Sequence, residues 1–244
     1  MSAVRIDHVS KIFGEFAALN DVSLSVATGE RRAIIGPNGA GKTTLFSIVA
    51  GQKMPTKGDI YINDARTTGL EPFALWRHGV SRTFQRNQLM LGLTVWENVE
   101  LACAAHHPGI FAAQQSRVQR HEDVAETLQR VDLLDAHANK VVNLSYGEQR
   151  QLELALALAG QPKILLLDEP TAGMGPAETE SMLKLMCALP REMTILIVEH
   201  DMDVVFSLAD RVTVLNLGEV LADGTVDEIR ADPRVSAVYM GKDA

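Results

Sequence analysis

Residues 36–43 are Gly36-Pro37-Asn38-Gly39-Ala40-Gly41-Lys42-Thr43, which fits the pattern G-x-x-x-x-G-K-[ST]. The octapeptide follows an apolar, strand-like run at 33–35 and precedes a helix-compatible run at 45–50. Its glycines allow the backbone to curl until N–H groups point inward, and the following helix adds its positive N-terminal end. The alternative is a simple glycine-rich turn, but the strand–loop–helix context favours a phosphate-binding loop.

The residue types in this loop suggest what each contributes. Lys42 is expected to neutralise the β- and γ-phosphates of a nucleoside triphosphate, and the Thr43 hydroxyl is expected to ligate Mg²⁺. The candidate nucleotide contacts in this segment are Gly36, Pro37, Asn38, Gly39, Ala40, Gly41, Lys42, Thr43 and Thr44.

Two adjacent carboxylates follow another apolar run. Residues 164–167 are Ile-Leu-Leu-Leu, and Asp168 and Glu169 come directly after them. Because the carboxyl ends of parallel strands meet at one edge of a sheet, both side chains are expected beside the phosphate loop. Asp168 would hold Mg²⁺, and Glu169 would polarise a water for in-line attack on the γ-phosphate. The alternative is that Asp-Glu-Pro merely ends a strand.

Short apolar runs rich in Val, Ile and Leu recur at 32–35, 164–167, 194–198 and 212–217. Such runs are typical of strands buried on both faces, in a parallel sheet covered by helices. Residues 22–26 alternate with a period of two and residues 59–62 are another strand candidate, so an N-terminal antiparallel sheet is expected. Apolar residues at helical spacing between 122 and 135 predict a helix within a helical insertion: Val124, Leu128, Val131 and Leu134.

Composition argues against several classes of function. The chain has 31 acidic and 23 basic residues, and its formal net charge of −8 argues against a broad electrostatic grip on nucleic acid. Cys103 and Cys187 lack metal-ligand spacing and are too few for a disulfide framework, so both are expected to be buried small hydrophobes in a reducing compartment. The N-terminus lacks a secretory signal pattern, and no window reaches the ~20 apolar residues of a membrane-spanning helix.

Residues 144–149 form a further motif, which resembles one of a known protein family. Leu144-Ser145-Tyr146-Gly147-Glu148-Gln149 resembles the LSGGQ signature of ABC ATPases. Ser145 and Glu148 also fit S-x-x-E, the capping box that opens a helix, and both readings hold together because a capped helix N-terminus is itself a site for a γ-phosphate. The resemblance implies that Ser145, Gly147, Glu148 and Gln149 contact ATP held by the phosphate loop of a second subunit.

The resemblance implies three more site residues. Phe13 resembles the aromatic residue that stacks on adenine, although Phe16 is a second candidate and either ring could belong to the core. Gln85 resembles the glutamine that senses Mg²⁺ and the attacking water, which makes it both a catalytic and a metal-binding candidate. His200 resembles the switch histidine that contacts the γ-phosphate.

Three further segments resemble the ATPases of hydrophobic and branched-chain amino-acid importers: 82–85, 169–174 and 232–241. ATPases of urea or amide importers and of lipopolysaccharide transport have related sequences. The family usually has an aspartate in the D-loop, where this chain has Ala172-Gly173-Met174-Gly175. The usual carboxylate-mediated communication between two ATP sites is therefore not implied here.

The resemblance covers essentially the whole chain and defines the expectations. The fold is expected to be α/β, a P-loop NTPase core of mostly parallel sheet flanked by helices, with an N-terminal antiparallel β subdomain. It would form one ABC ATPase domain, 1–244, with a helical subdomain inserted at 86–160. The activity implied is ATP hydrolysis with Mg²⁺.

The expected partners are a second ABC ATPase, transmembrane permease subunits and, indirectly, a periplasmic or extracellular solute-binding protein, with no nucleic acid. The expected location is the cytoplasmic face of the inner membrane. Apolar residues within 86–96 are candidates for a groove that accepts a permease helix, or for the core of the insertion. A non-transport ABC ATPase and a P-loop kinase are the other classes considered. The first usually carries a coiled-coil insertion or two fused cassettes, and the second does not account for Ser145 or His200.

Overall fold

The structure is a computed structural model, and it describes residues 2–83, 89–104 and 115–240. Its elements in chain order are β1 (Ser2–Phe13), β2 (Phe16–Ala27), β3 (Arg31–Ile35), α1 (Lys42–Val49), β4 (Lys57–Ile62), β5 (Ala65–Arg66), α2 (Pro72–Arg77), β6 (Val80–Arg82), α3 (Val95–Ala104), α4 (Gln115–Arg130), a 3-10 turn (Val141–Asn143), α5 (Tyr146–Leu158), β7 (Ile164–Asp168), α6 (Pro176–Ala188), β8 (Thr194–Val198), α7 (Met202–Leu208), β9 (Arg211–Asn216), β10 (Glu219–Thr225), α8 (Val226–Ala231) and α9 (Pro233–Met240).

The chain divides into two compact units. The first comprises Met1–Val80, Lys163–Glu169 and Pro190–Ala244, and the second comprises Ser81–Pro162 and Pro170–Leu189.

The larger sheet has the strand order β10-β9-β3-β8-β7-β6, and the chain leaves the first unit in its edge strand β6. Strand β3 pairs in parallel with β8 and β9, and β7 pairs in parallel with β8, whereas β10 runs antiparallel to β9. Every residue of β3, β7 and β8 is buried, and most of each strand is apolar, as expected of strands covered on both faces. The exceptions lie at the strand ends and are Arg31, Arg32, Asp168 and Thr194. The predicted mostly parallel sheet is confirmed.

The smaller sheet is antiparallel, with the order β2-β1-β4-β5, as the alternation at 22–26 predicted. Val22, Leu24 and Val26 are buried and the residues between them are exposed. The buried face joins the core of the first unit, which also contains Phe46 and Leu45 of α1.

The second unit contains α3, α4, α5 and α6, and the first three contact one another. Helix α4 begins at Gln115 and ends at Arg130, so the apolar stripe predicted up to Leu134 extends beyond the helix. The backbone turns at Asp132, where φ is +59°, and buries Leu133 instead. Cys103 is buried as expected, but Cys187 is exposed on α6, so that part of the cysteine prediction is wrong.

None of the helices in the described parts of the chain has the length and apolar character needed to cross a bilayer.

Candidate active site

The phosphate loop connects β3 to α1 through glycines in conformations that other residues rarely adopt. Gly36, Gly39 and Gly41 have φ values of +147°, +84° and +101°. A Cβ at Gly36 would collide with the backbone oxygen of Leu215, and one at Gly41 would lie 2.6 Å from the backbone oxygen of Ala18. Glycine is therefore required both by the turn and by the close approach of neighbouring strands.

Lys42 lies over this loop with its side chain buried. Its Nζ donates to the carbonyl oxygens of Gly36 at 2.6 Å and Pro37 at 3.1 Å. These contacts hold a full positive charge at the N-terminal end of α1, where the helix dipole also favours an anion. The loop therefore presents a strongly electropositive concavity to any phosphate that enters it.

Three neighbouring strands end at the same edge of the large sheet. Asp168 is the last residue of β7 and pairs in register with Val198, the last residue of β8. Glu169 follows in a left-handed conformation, with φ of +49°, and its N–H donates to the Val198 oxygen at 2.8 Å. The parallel topology thus brings Asp168 and Glu169 to the edge where β3 enters the phosphate loop, as the sequence predicted.

His200 meets Glu169 directly. Its Nε2 lies 2.6 Å from Oε1 of Glu169, and both side chains remain partly exposed. The buried carboxylate of Glu199 accepts from the backbone N–H of His200 at 2.7 Å, which fixes the turn into α7. An imidazole and a carboxylate in contact can share and pass a proton.

A cavity of about 240 Å³ joins these parts. Its walls are formed by Phe16, Ala18, Asn38, Gly39, Ala40, Gly41, Lys42, Thr43, Thr44, Glu169 and His200. The tight hairpin between β1 and β2 places Phe13 directly opposite Phe16. The Phe13 ring is approached by the ammonium groups of Lys11 and Lys53, 5.1 and 5.7 Å from its centre. Phe16 lines the cavity, so the role of Phe13 stays a prediction.

The donors available for Mg²⁺ are oxygen atoms. Within the described residues, no group of three or more His, Cys, Asp or Glu side chains is placed to hold a metal ion. Magnesium bound to a nucleotide needs only one or two protein oxygens besides the phosphates. Thr43 on the cavity wall and Asp168, which is 3% exposed, are oxygen donors of this kind.

The signature segment lies in the second unit, where the predicted capping box is confirmed. The Ser145 hydroxyl accepts from the N–H of Glu148 at 3.3 Å, and the Glu148 carboxylate accepts from the N–H of Ser145 at 2.7 Å. Gln149 turns back and donates to the Leu144 oxygen at 3.1 Å, so its side chain supports the start of α5. Gln85 lies outside the described residues.

Sequence reasoning did not find two contacts near these motifs. The Tyr146 hydroxyl donates to the Ala172 oxygen at 2.8 Å and accepts from Nε of Arg150 at 2.9 Å, which connects the signature to the segment after Glu169. The Tyr239 side chain on α9 is 39% exposed, but partial desolvation raises the pKa of its hydroxyl, and a hydrogen bond from the Gly36 backbone opposes that rise. The last helix therefore reaches the phosphate loop. The only signal for the first contact was a tyrosine where LSGGQ has glycine.

Comparison with known proteins agrees with this geometry. Residues 19–172 match the family described as ABC transporter.

The chain belongs to the ABC transporter family.

Its C-terminal segment, residues 219–244, also matches the family described as Branched-chain amino acid ATP-binding cassette transporter. The chain is 41% identical over 243 residues to the High-affinity branched-chain amino acid transport ATP-binding protein LivG of Salmonella typhimurium, and the match covers 94% of each protein.

Two solved structures extend the comparison. The ADP conformation of an ATP-binding cassette of an ABC transporter is similar with a TM-score of 0.85 and 32% identity, over 99% of this chain and 100% of that one. The dimeric structure of a bacterial ABC transporter cassette is similar with a TM-score of 0.79 and 31% identity, over 91% and 98%. The predicted ABC ATPase fold, nucleotide binding and ATP hydrolase activity are confirmed by this membership.

Proposed function

We propose that this ABC ATPase powers the import of branched-chain or other hydrophobic amino acids. The observation that carries the enzymatic half of the proposal is the contact between Glu169 and His200 on the wall of the phosphate-loop cavity. The substrate class rests on the similarity to LivG along the chain and on the C-terminal match over residues 219–244.

ATP binds in the loop of residues 36–44, with its base against an aromatic ring of the β1–β2 hairpin. Lys42 leaves the carbonyl oxygens of Gly36 and Pro37 and neutralises the phosphates. Thr43 and Asp168, together with Gln85, which lies outside the described residues, would hold Mg²⁺, and the bound ion would neutralise charge on the phosphate oxygens. Glu169 accepts a proton from the attacking water, and His200 orients that carboxylate and contacts the γ-phosphate.

The active assembly contains two ATPase subunits, this chain and a second ABC ATPase. Ser145, Gly147, Glu148 and Gln149 complete the nucleotide site of the partner, because the N-terminal end of α5 attracts a phosphate. The solved dimer of a similar cassette supports an assembly of two ATPase subunits. The chain functions as one domain, 1–244, with a helical subdomain inserted at 86–160, a range that falls within the 81–162 segment of the second unit.

The permease docks on the second unit, at the cytoplasmic face of the membrane. Residues 86–88 lie outside the described residues, and of the apolar side chains that follow, Leu89 and Val95 belong to the core. Met90 and Leu91 are 53% and 49% exposed, and Val142, whose N–H donates to the Leu91 oxygen, is 61% exposed. These three residues, the apolar patch, offer a permease helix a surface to cover.

The test is transport by the reconstituted system. The chain, its partner ATPase and the permeases would be placed in proteoliposomes with the solute-binding protein and MgATP. Labelled leucine should accumulate, and a leucine-loaded binding protein should stimulate ATP hydrolysis. Accumulation of urea without leucine would instead favour the related urea or amide importers. The Glu169→Gln variant, which lacks the base, is the control for ATP-driven uptake.

A further inference from the structure

The side chain of Glu178 lies on the signature glycine. Its Oε1 accepts from the Gly147 N–H at 3.3 Å, and a Cβ built at Gly147 would meet the same oxygen at 2.8 Å. Gly147 is buried although both preceding residues, Ser145 and Tyr146, are exposed. The Glu178 carboxylate therefore helps to cover the backbone of Gly147, the glycine of the signature segment.

The same carboxylate joins the beginnings of two helices. Its second oxygen, Oε2, accepts from the N–H of Gly175 at 2.9 Å, at the N-cap of α6. Gly147 is the second residue of α5, so the negative charge lies at the positive ends of both α5 and α6. The positive helix ends would also attract a phosphate group to this position.

The two anions cannot occupy this position together. We propose that Glu178 is a positioning residue that occupies the phosphate position of the signature and withdraws when the γ-phosphate of the partner's ATP arrives. The inference rests on the proposed function, in which Gly147 contacts that phosphate. The carboxylate satisfies the Gly147 N–H before nucleotide arrives, and closure of the dimer replaces one anion by another.

The contact also connects nucleotide arrival to the segment that lacks the usual aspartate. When Glu178 withdraws from Gly147, it can also release Gly175, while the Tyr146 hydroxyl keeps its hold on the Ala172 oxygen. The segment 172–175 is then anchored at one end and released at the other. Glu178 thereby couples the arrival of phosphate at Gly147 to the release of Gly175, which occupies the D-loop position of the usual aspartate.

The experiment measures how much MgATP is needed for association with the partner ATPase. In a Glu169→Gln background, which blocks hydrolysis, association would be followed by analytical ultracentrifugation as MgATP is increased. Glu178→Gln keeps the shape of the side chain but removes its charge. Because a hydrogen bond to a charged acceptor is stronger than one to a neutral acceptor, the half-maximal MgATP concentration should fall about tenfold. Glu178→Asp shortens the side chain, withdraws it from Gly147 and should shift the midpoint in the same direction.

The control is Glu180→Gln, which removes the same charge two residues along α6, where Glu180 faces Lys184 at 2.7 Å. A merely structural cap would act in the opposite direction, since its loss lowers the thermal midpoint and weakens association. Unchanged or weakened association in both Glu178 variants, or an equal shift in Glu180→Gln, overturns the inference. If MgATP drives no association even in the parent protein, the proposed function fails instead. Should Glu178→Gln not fold, Glu178→Asp decides.

Discussion

Two contacts restrain Glu169, one on its backbone and one on its side chain. Its backbone is held in the left-handed region by a hydrogen bond to Val198, and its side chain is held by His200. A general base must stay within hydrogen-bond reach of its water, and both restraints help to keep the Glu169 carboxylate at that distance. The cost of the left-handed conformation, on the order of 1 kcal/mol, is accepted because it directs the carboxylate into the cavity.

Replacing Glu169 and Lys42 should separate catalysis from binding. Glu169→Gln preserves shape and hydrogen bonding but removes the base, so kcat should fall by at least about a hundredfold while ATP affinity changes little. Lys42→Ala should instead weaken ATP binding itself. Nucleotide affinity by calorimetry and turnover by phosphate release distinguish the two variants. Unaltered turnover in Glu169→Gln would contradict the assignment of the base.

The two thiols should differ sharply in reactivity. Desolvation raises the pKa of Cys103 from 9.0 to about 11, whereas Cys187 is exposed. At pH 8 iodoacetamide should therefore modify Cys187 while Cys103 stays unmodified in the folded protein, as read by peptide mass spectrometry. Denatured protein, in which both should react, is the control. Rapid labelling of native Cys103 would contradict its burial.

The same shift has a consequence for stability. The pKa of Cys103 is higher in the folded protein than in the unfolded chain. The contribution of the neutral thiol to the free energy of unfolding is therefore complete below pH 9 and is lost as the pH rises towards 11.

At the scale of elements, the phosphate loop depends on how closely β9 approaches it. Gly36 and Gly39 both have positive φ, but among the described residues only Gly36 has a neighbour within reach of an added Cβ, the backbone oxygen of Leu215. Backbone in the middle of a sheet cannot move aside as the end of a side chain can. Gly36 is therefore required by packing, and Gly39 only by its own conformation.

This difference predicts the outcome of two alanine substitutions. Gly39→Ala should lower the free energy of unfolding by about 1 kcal/mol, the cost of a left-handed alanine. Gly36→Ala should lower it by at least about 3 kcal/mol, since the collision with Leu215 is added. Urea unfolding without nucleotide would measure both. Equal effects would mean that β9 yields easily.

The elements also show where local sequence was informative. Strands β3, β7 and β8 were predicted closely because burial on both faces favours apolar residues, although β3 begins with two buried arginines. Strand β1 gave no clear pattern, because its pairing with β2 contains several register shifts that break the alternation. Helix α4 was extended too far, since Leu133 is buried through a turn that mimics helical spacing.

At the scale of the whole molecule, the apolar patch of Met90, Leu91 and Val142 is the surface proposed to take up the work of ATP hydrolysis. Leu91→Asp should reduce co-purification with the permease at least about tenfold, because a charge replaces buried apolar contact. Basal ATP hydrolysis should persist. Val118→Asp, at a 61% exposed position of α4, is the matched control. Normal permease recovery with Leu91→Asp would exclude the patch as the docking site.

Local sequence was sufficient for the phosphate loop, the carboxylates after β7 and the capping box of α5. Each of these depends on residues adjacent in the chain, whose backbone geometry follows from glycine, strand and capping preferences. The grouping of residues 170–189 with 81–162, and the contact of Glu178 with Gly147 across 31 residues, left no local pattern. Those features depend on residues that are far apart in the chain and come into contact only when the helices pack against one another.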